Sequence, residues 1–271
     1  MALKDITLGQ FFPGDTPLHR LDPRTKLLLV VLYIVALFMA KNALGYALLA
    51  LALFSAILIS KVGFKAVFKG LKAVLFIVIF TAFLNLFYTV GEGEPLLSFW
   101  VFHIYWEGIR TAFFMVLRIM MLISSTFLLT YTTSPIRLTD ALEELLGGLK
   151  KLHVPVHELS MMMSIALRFI PTLIEETDKI MSAQKARGAD FDSGNLIQKA
   201  KSLIPLLVPL FISAFRRADE LAVAMECRCY HGGEGRTRML VLRYALRDYV
   251  ALALGFGLIA AIVGANFLGV F

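Results

Sequence analysis

The 271-residue chain is 58% hydrophobic and 17% charged, with 27 Lys and Arg against 20 Asp and Glu and a net charge of +7; its mean hydropathy is +0.75. Soluble domains carry about 25% charged and 45–50% apolar residues, and a core of this length cannot bury the excess. Disorder, collagen-like repeats and an ordinary cytosolic enzyme are excluded, which leaves a polytopic membrane protein.

Taken in chain order, five stretches approach the ~20 apolar residues that cross a bilayer: residues 26–40, 43–60, 73–90, 108–131 and 249–267. The expected fold is all-α. The first 25 residues carry Lys4, Arg20 and Arg24 with no apolar run and no small-residue cleavage site, so the first span is expected to be an uncleaved anchor. Asp22 suits an N-cap and Pro23 the first helical position. Arg24 and Lys26 are then expected at headgroup level, where attraction to anionic lipid is worth ~1 kcal/mol each.

The basic residues fix an expected orientation. Residues 1–26 hold four, 61–72 hold four (Lys61, Lys65, Lys69, Lys72) and 132–248 hold 16, leaving Lys41, Arg110 and Arg118 elsewhere. Twenty-four of 27 on one side predicts a cytoplasmic N-terminus by the positive-inside rule.

Residues 132–248 form a charged block between the fourth span and the last, with 16 basic and 14 acidic residues. The expected organisation is thus 1–131 for the N-terminal segment and four spans, 132–248 for a cytoplasmic helical domain, and 249–271 for the last span. Two amphipathic helices are legible in the block. In the first, Met162, Ile165, Phe169, Leu173, Thr177 and Ile180 recur on one face, with Arg168, Glu175 and Lys179 away from it. In the second, Phe211, Phe215, Ala218, Leu221 and Met225 share a face, opposite Arg216, Arg217, Asp219 and Glu220. The apolar run 203–215 covers only ~20 Å as a helix and contains Pro205 and Pro209, so it is expected to pack against the membrane-side core or the interface rather than span.

Each amphipathic helix ends in an arginine: Ala186-Arg187-Gly188 and Cys227-Arg228-Cys229, 41 residues apart. Gly188 suits a left-handed cap, and a last-turn arginine faces the negative end of the helix dipole. Two readings follow. Each end is a solvated terminus, or each arginine projects from a rigid tip into an acidic groove of a partner, where a charge-assisted bond is worth ~1.5–3 kcal/mol.

Four stretches resemble the transmembrane T component of energy-coupling factor (ECF) transporters, of the EcfT/CbiQ type. They are the opening run Pro13-Gly14-Asp15-Thr16-Pro17-Leu18-His19-Arg20-Leu21-Asp22-Pro23-Arg24-Thr25-Lys26; Arg168-Phe169-Ile170-Pro171 with Glu175; residues 183–191; and residues 224–237. The resemblance covers nearly the whole chain. It implies that Ala186, Arg187, Gly188, Cys227, Arg228 and Cys229 end two coupling helices, each inserted into one of two ABC-type ATPase subunits that hold the ATP and Mg. It also implies a substrate-binding membrane S component, with several interchangeable ones conceivable, against faces that include Met162, Ile165, Phe169, Phe211, Phe215 and Met225. The chain itself would bind no cofactor, metal or nucleic acid, would catalyse nothing, and would sit multi-pass in the cytoplasmic membrane to serve uptake of a vitamin or metal ion. The second motif departs from the family's Ala-Arg-Gly: the arginine charge is kept and the glycine is not.

Other constellations point elsewhere more weakly. The run Gly232-Gly233-Glu234-Gly235-Arg236-Thr237 lacks the spacing and lysine of a phosphate-binding loop. Cys227, Cys229 and His231 lie within five residues but without a second ligand cluster. His153 and His157 flank Pro155 and read as helix-junction residues. The pairs Glu143-Glu144 and Glu175-Glu176 lie outside the spans, which argues against an intramembrane protease. Arg118 lies inside the fourth span, at a cost of ~2.5–3.5 kcal/mol if it faced lipid. It either lines an interface or substrate-related surface or pairs structurally near Asn85 of the third span. A self-contained secondary transporter or channel is the alternative function, for which broken spans, an inverted repeat or more intramembrane charge would be needed.

Overall fold

The computed structural model describes residues 11–88, 97–99, 102–152, 154–189, 191, 195–232 and 241–267. The fold is helical, with one small antiparallel hairpin of β1 (Leu97–Phe99) and β2 (Phe102–Ile104). The chain divides into two units, one comprising Gly9–Ala141 and Leu242–Phe271, the other Leu142–Val241.

The first unit is built on α1 (Pro23–Met39), α2 (Ala43–Ser60), α3 (Phe64–Tyr88), α4 (Trp106–Thr132) and α9 (Leu246–Phe267). α3 packs most extensively on α4, and α1 on α9. Small residues bring the axes together, as expected where apolar surface alone gives no preference for protein over lipid. A Cβ on Gly70 would run into the Phe127 ring, and one on Gly255 would crowd Leu29. Ala36, Leu37, Leu49, Tyr131 and Ile262 form the centre of the core.

α3 begins at Phe64 rather than at the expected position 73, so Lys65, Lys69 and Lys72, read as a connection, lie on its first turns. Lysine has good helix propensity, and nothing after Gly63 breaks the run.

Among the described residues, five helical stretches are long and apolar enough to cross a membrane: Ala43–Ser60, Phe64–Phe87, Trp106–Thr132, Ile197–Glu226 and Leu246–Phe267. This set differs from the expected one in two places. α1 has 17 residues, about 25 Å against a hydrocarbon core of about 30 Å. Ile197–Glu226 enters instead, although it is the least apolar of the five.

The reason is the placement of its prolines. The stretch comprises α7 (Leu196–Ser202) and α8 (Ile204–Glu226). Pro205 falls in the first turn of α8, where no N–H is required. Pro209 cannot bond the carbonyl of Pro205, and the Gln184 side-chain amide reaches that oxygen instead (3.5 Å).

A buried polar hub joins the start of α1 to α4 and α9. Asp22 caps α1 by accepting from the Arg24 amide (2.9 Å), and the Arg24 guanidinium returns to the same carboxylate at 3.1 and 2.9 Å. Asp248, 2% exposed, accepts from the Asp22 amide through Oδ1 and from the Ala245 amide through Oδ2, both at 2.8 Å. Lys26 Nζ donates to the carbonyls of Thr132 (2.8 Å) and His19 (3.2 Å) and to the Thr133 hydroxyl (3.3 Å).

The expectation that Arg24 and Lys26 lie among headgroups is therefore corrected: they are 6% and 5% exposed. Cations so buried need acceptors from the protein, and these two have them. The entry segment closes over the hub. His19 links Thr16 (2.6 Å) to the Phe12 carbonyl (3.1 Å), and burial holds its pKa below the usual histidine value.

The second unit holds the end of α5 (Pro135–Leu145), a 3₁₀ segment (Leu146–Leu152), α6 (Val156–Ala186), α7 and α8. His157 Nδ1 lies 3.0 Å from Glu143 Oε1, tying α6 back to α5. His153, its proposed junction companion, lies outside the described residues.

Replacement of Asp248 tests the hub. Asp248→Ala removes the acceptor of the buried Asp22 amide and of the part-buried Ala245 amide, with the charge facing Lys26, and should cost about 3 kcal/mol. Asp248→Asn, which keeps one acceptor, should cost about half as much. Thermal unfolding of the purified chain in detergent reads both.

Candidate functional site

The two arginine motifs close their helices with the same hydrogen bonds. At the end of α6, the Gly188 amide donates to the Lys185 carbonyl and the Ala189 amide to the Gln184 carbonyl, both at 3.0 Å. Gly188 is left-handed, with φ +89°. This is a complete Schellman motif. At the end of α8, the Cys229 amide donates to the Glu226 carbonyl (2.8 Å) and the Tyr230 amide to the Met225 carbonyl (3.1 Å). Cys229 takes the left-handed position itself, with φ +53°. The two caps correspond residue for residue at an offset of 41, so Arg228 occupies on α8 the place that Arg187 occupies on α6.

Both arginines are exposed, as are Ala186, Gly188, Cys227 and Cys229. Among the described residues no carboxylate pairs with either arginine. Each tip thus presents, on a backbone held by its cap, a guanidinium that no described carboxylate compensates, at a helix C-terminus where the dipole favours positive charge. Cys227 and Cys229 are free thiols. Among the described residues no group of three His, Cys, Asp or Glu side chains could hold a metal. The glycine-rich run beyond Gly232 lies outside the described residues.

Two contacts set the arrangement of α6 and α8. Arg217 Nη2 donates to Glu176 Oε2 at 2.8 Å, and Gln184 meets Pro205. Later positions on α6 therefore meet earlier positions on α8, so the helices cross in the antiparallel sense. Arg187 lies 11 residues past Glu176 and Arg228 lies 11 residues past Arg217, arms of about 16 Å each. Running in opposing directions, they hold the two tips on the order of 30 Å apart. Arg217, read as opposite the apolar face, is instead half-buried at this crossing. The signal was present in the sequence, because Glu176 and Arg217 share the 41-residue offset of the two motifs.

The proposed S-component residues split into two groups. Met162, Phe211 and Phe215 are exposed at 55%, 60% and 69%, while Ile165, Phe169 and Met225 are half-buried. α8 thus keeps an exposed apolar face.

Arg118 has a different partner from the one expected. Its Nε donates to the Tyr46 hydroxyl on α2 at 2.9 Å and Nη2 reaches the same oxygen. Its guanidinium lies 5.6 Å from the centre of the Phe38 ring. Asn85 bonds the Thr81 carbonyl of its own helix instead (2.9 Å).

Substitutions at the caps test their equivalence. Gly188→Ala places a Cβ in left-handed backbone and should speed exchange of the Ala189 amide about fivefold. Cys229→Gly should slow exchange at Tyr230, since glycine removes the steric penalty. Site-resolved hydrogen exchange distinguishes them.

Comparison with known proteins places these features. Residues 14–239 match the family model CbiQ, cobalt transport protein. The chain is similar to the energy-coupling factor transporter transmembrane protein EcfT of Clostridium kluyveri, 57% identical over 92% of both chains. It is 54% identical to EcfT of Ruminiclostridium cellulolyticum over 91% of both, and 50% identical to EcfT of Bacillus subtilis over 91% of this chain and 92% of that one. Matched along nearly its whole length, this multi-pass membrane protein belongs to the CbiQ/EcfT family of ECF transporter transmembrane components.

Proposed function

We propose that this chain is the non-catalytic coupling subunit of an ECF-type importer, passing the ATP-driven motion of two ABC-type ATPase subunits to a substrate-binding S component. The observation that carries this reading is the pair of matching arginine caps. Two tips with the same cap geometry, about 30 Å apart, suit two similar partners, one arginine entering a groove on each. ATP and Mg belong to those partners, and this chain contributes positioned charge. When the ATPases close or separate, a pair of arms crossing at Glu176–Arg217 changes its angle, and the apolar faces bearing Met162, Ile165, Phe169, Phe211, Phe215 and Met225 move against the S component.

With α1 read as a span and α7–α8 as lying outside the bilayer, 24 of the 27 basic residues fall on one side, which supports a cytoplasmic N-terminus and coupling domain in the cell membrane. The substrate is a micronutrient, a vitamin or a metal ion. The cobalt of the family description is one instance, and selection among substrates lies in the S component.

Reversing both arginines, Arg187→Glu with Arg228→Glu, should lower ATPase co-purification at least a hundredfold and abolish uptake, since each charge-assisted contact is worth ~1.5–3 kcal/mol. A full complex with normal uptake would sink the docking role. The purified chain alone should move no solute in liposomes; transport there would establish the self-contained transporter instead.

The crossing has its own test. Glu176→Arg should impair ATP-dependent uptake, and the swap of Glu176→Arg with Arg217→Glu should restore at least half of it. No rescue would remove the ion pair from the coupling path.

A further inference from the structure

Lys41, Arg110 and Arg118 are the three of 27 basic residues that lie away from the basic side of the chain, and all three line one cleft of about 430 Å³. The cleft opens among α1, α2 and α4, at the end of the bundle where α1 passes into α2. α4 contributes a continuous stripe to it, in which Glu107, Arg110, Phe114 and Arg118 follow helical spacing.

The convergence has a structural cause on each element. Lys41 sits in the α1–α2 connection, and Arg110 lies one turn inside α4. Arg118 starts three turns down α4, but its guanidinium is drawn to Tyr46, in the first turn of α2, and so rises toward the same level. Tyr46 in turn stacks on Phe114, with ring centres 4.9 Å apart. The hydroxyl of Tyr46 fixes Arg118 without neutralising it. Among the described residues no carboxylate is ion-paired with Lys41, Arg110 or Arg118. Glu107 is the carboxylate among the lining residues, so the cleft holds a formal charge of +2.

We propose that this cleft binds the phosphate of an anionic phospholipid from the leaflet opposite the lysine-rich connections. Three cations lining one cleft, Arg118 among them fixed by Tyr46, suit a phosphodiester by charge, and arginine supplies paired donors to its oxygens. The walls favour lipid over a free oxyanion. Phe38 is 61% exposed at the mouth, and Phe114 and Met115 line the interior, surfaces that suit glycerol and upper acyl carbons. A headgroup there compensates the intramembrane charge of Arg118, which no carboxylate among the described residues pairs. The proposal does not depend on the role of the helix tips.

Photolabelling tests it. The full-length chain in detergent is titrated with a diazirine-bearing phosphatidylglycerol against a phosphatidylcholine background, and adducts on the peptide containing residues 106–118 are quantified by mass spectrometry. Lys41→Gln with Arg110→Gln leaves the Arg118–Tyr46 contact intact and should raise the half-saturating lipid concentration about thirtyfold. Lys61→Gln with Lys65→Gln, at the other end of α2, should leave it unchanged. Equal labelling of the wild type and the Lys41/Arg110 variant would overturn the proposal. Protection by millimolar inorganic phosphate would also overturn it, by assigning the cleft to a free oxyanion.

Discussion

The transmembrane unit depends on the carboxylate of Asp248. It sits 226 residues from Asp22 in sequence, yet its two oxygens hold the amide that precedes α1 and the amide of Ala245 that precedes α9. Two helix starts are thereby fixed to one group. The first amides of a helix have no partner within it, and burying them in a bundle without an acceptor costs a few kcal/mol each. Asp248 removes that cost at the buried start of α1 and also holds the part-buried start of α9. Its own burial is tolerable because Arg24 and Lys26 are close, Arg24 through Asp22 and Lys26 through the carbonyl of Thr132 at the end of α4. Each buried ion is acceptable only because the others are present, which makes the hub a cooperative assembly rather than a sum of pairs.

The helix tips obey a different constraint, set by the backbone. A Schellman cap requires a left-handed residue at one position, and glycine takes that conformation without a steric penalty. α6 supplies Gly188; α8 reaches the same conformation with Cys229. Bearing the strain of a Cβ there keeps the arginine before it in the same relation to the helix axis. Geometry is preserved across the two motifs while the cap residue changes. The orientation of the arginine is therefore the shared property, and the glycine is one way of obtaining it.

Features governed by local physics were legible in the sequence, and features governed by distant partners were not. The Asp22 cap with Pro23, four of the five expected apolar spans and the arginine at each helix end follow from residues within a turn of one another, and the structure shows them. Arg24 and Lys26 looked like headgroup residues because Asp248 and Thr132, which allow their burial, lie more than 100 positions away. Pro205 and Pro209 looked like breaks because the sequence does not show that Gln184 meets the carbonyl Pro209 leaves free. Arg118 was known to need a partner, but the choice of Tyr46 over the Asn85 region follows from how α2 and α4 pack, which apolar periodicity leaves open. Asn85 donates its side-chain amide to the Thr81 carbonyl of its own helix.

Charge placement joins these levels. A positive net charge on an apolar chain describes little until each cation is assigned an environment. Lys26 is enclosed by carbonyls, Arg24 by a carboxylate and an aromatic ring, Arg217 by Glu176 at a helix crossing, and Arg118 by a phenol. Each of these environments restrains its cation by a different physical means, and each restraint fixes a piece of geometry. Arg187 and Arg228 differ from all four: each backbone is closed by a Schellman cap, and no carboxylate among the described residues meets the charged group. Rigid support beneath an unsatisfied charge has no stabilising value for the isolated chain. It is the arrangement expected where the compensating group belongs to another molecule.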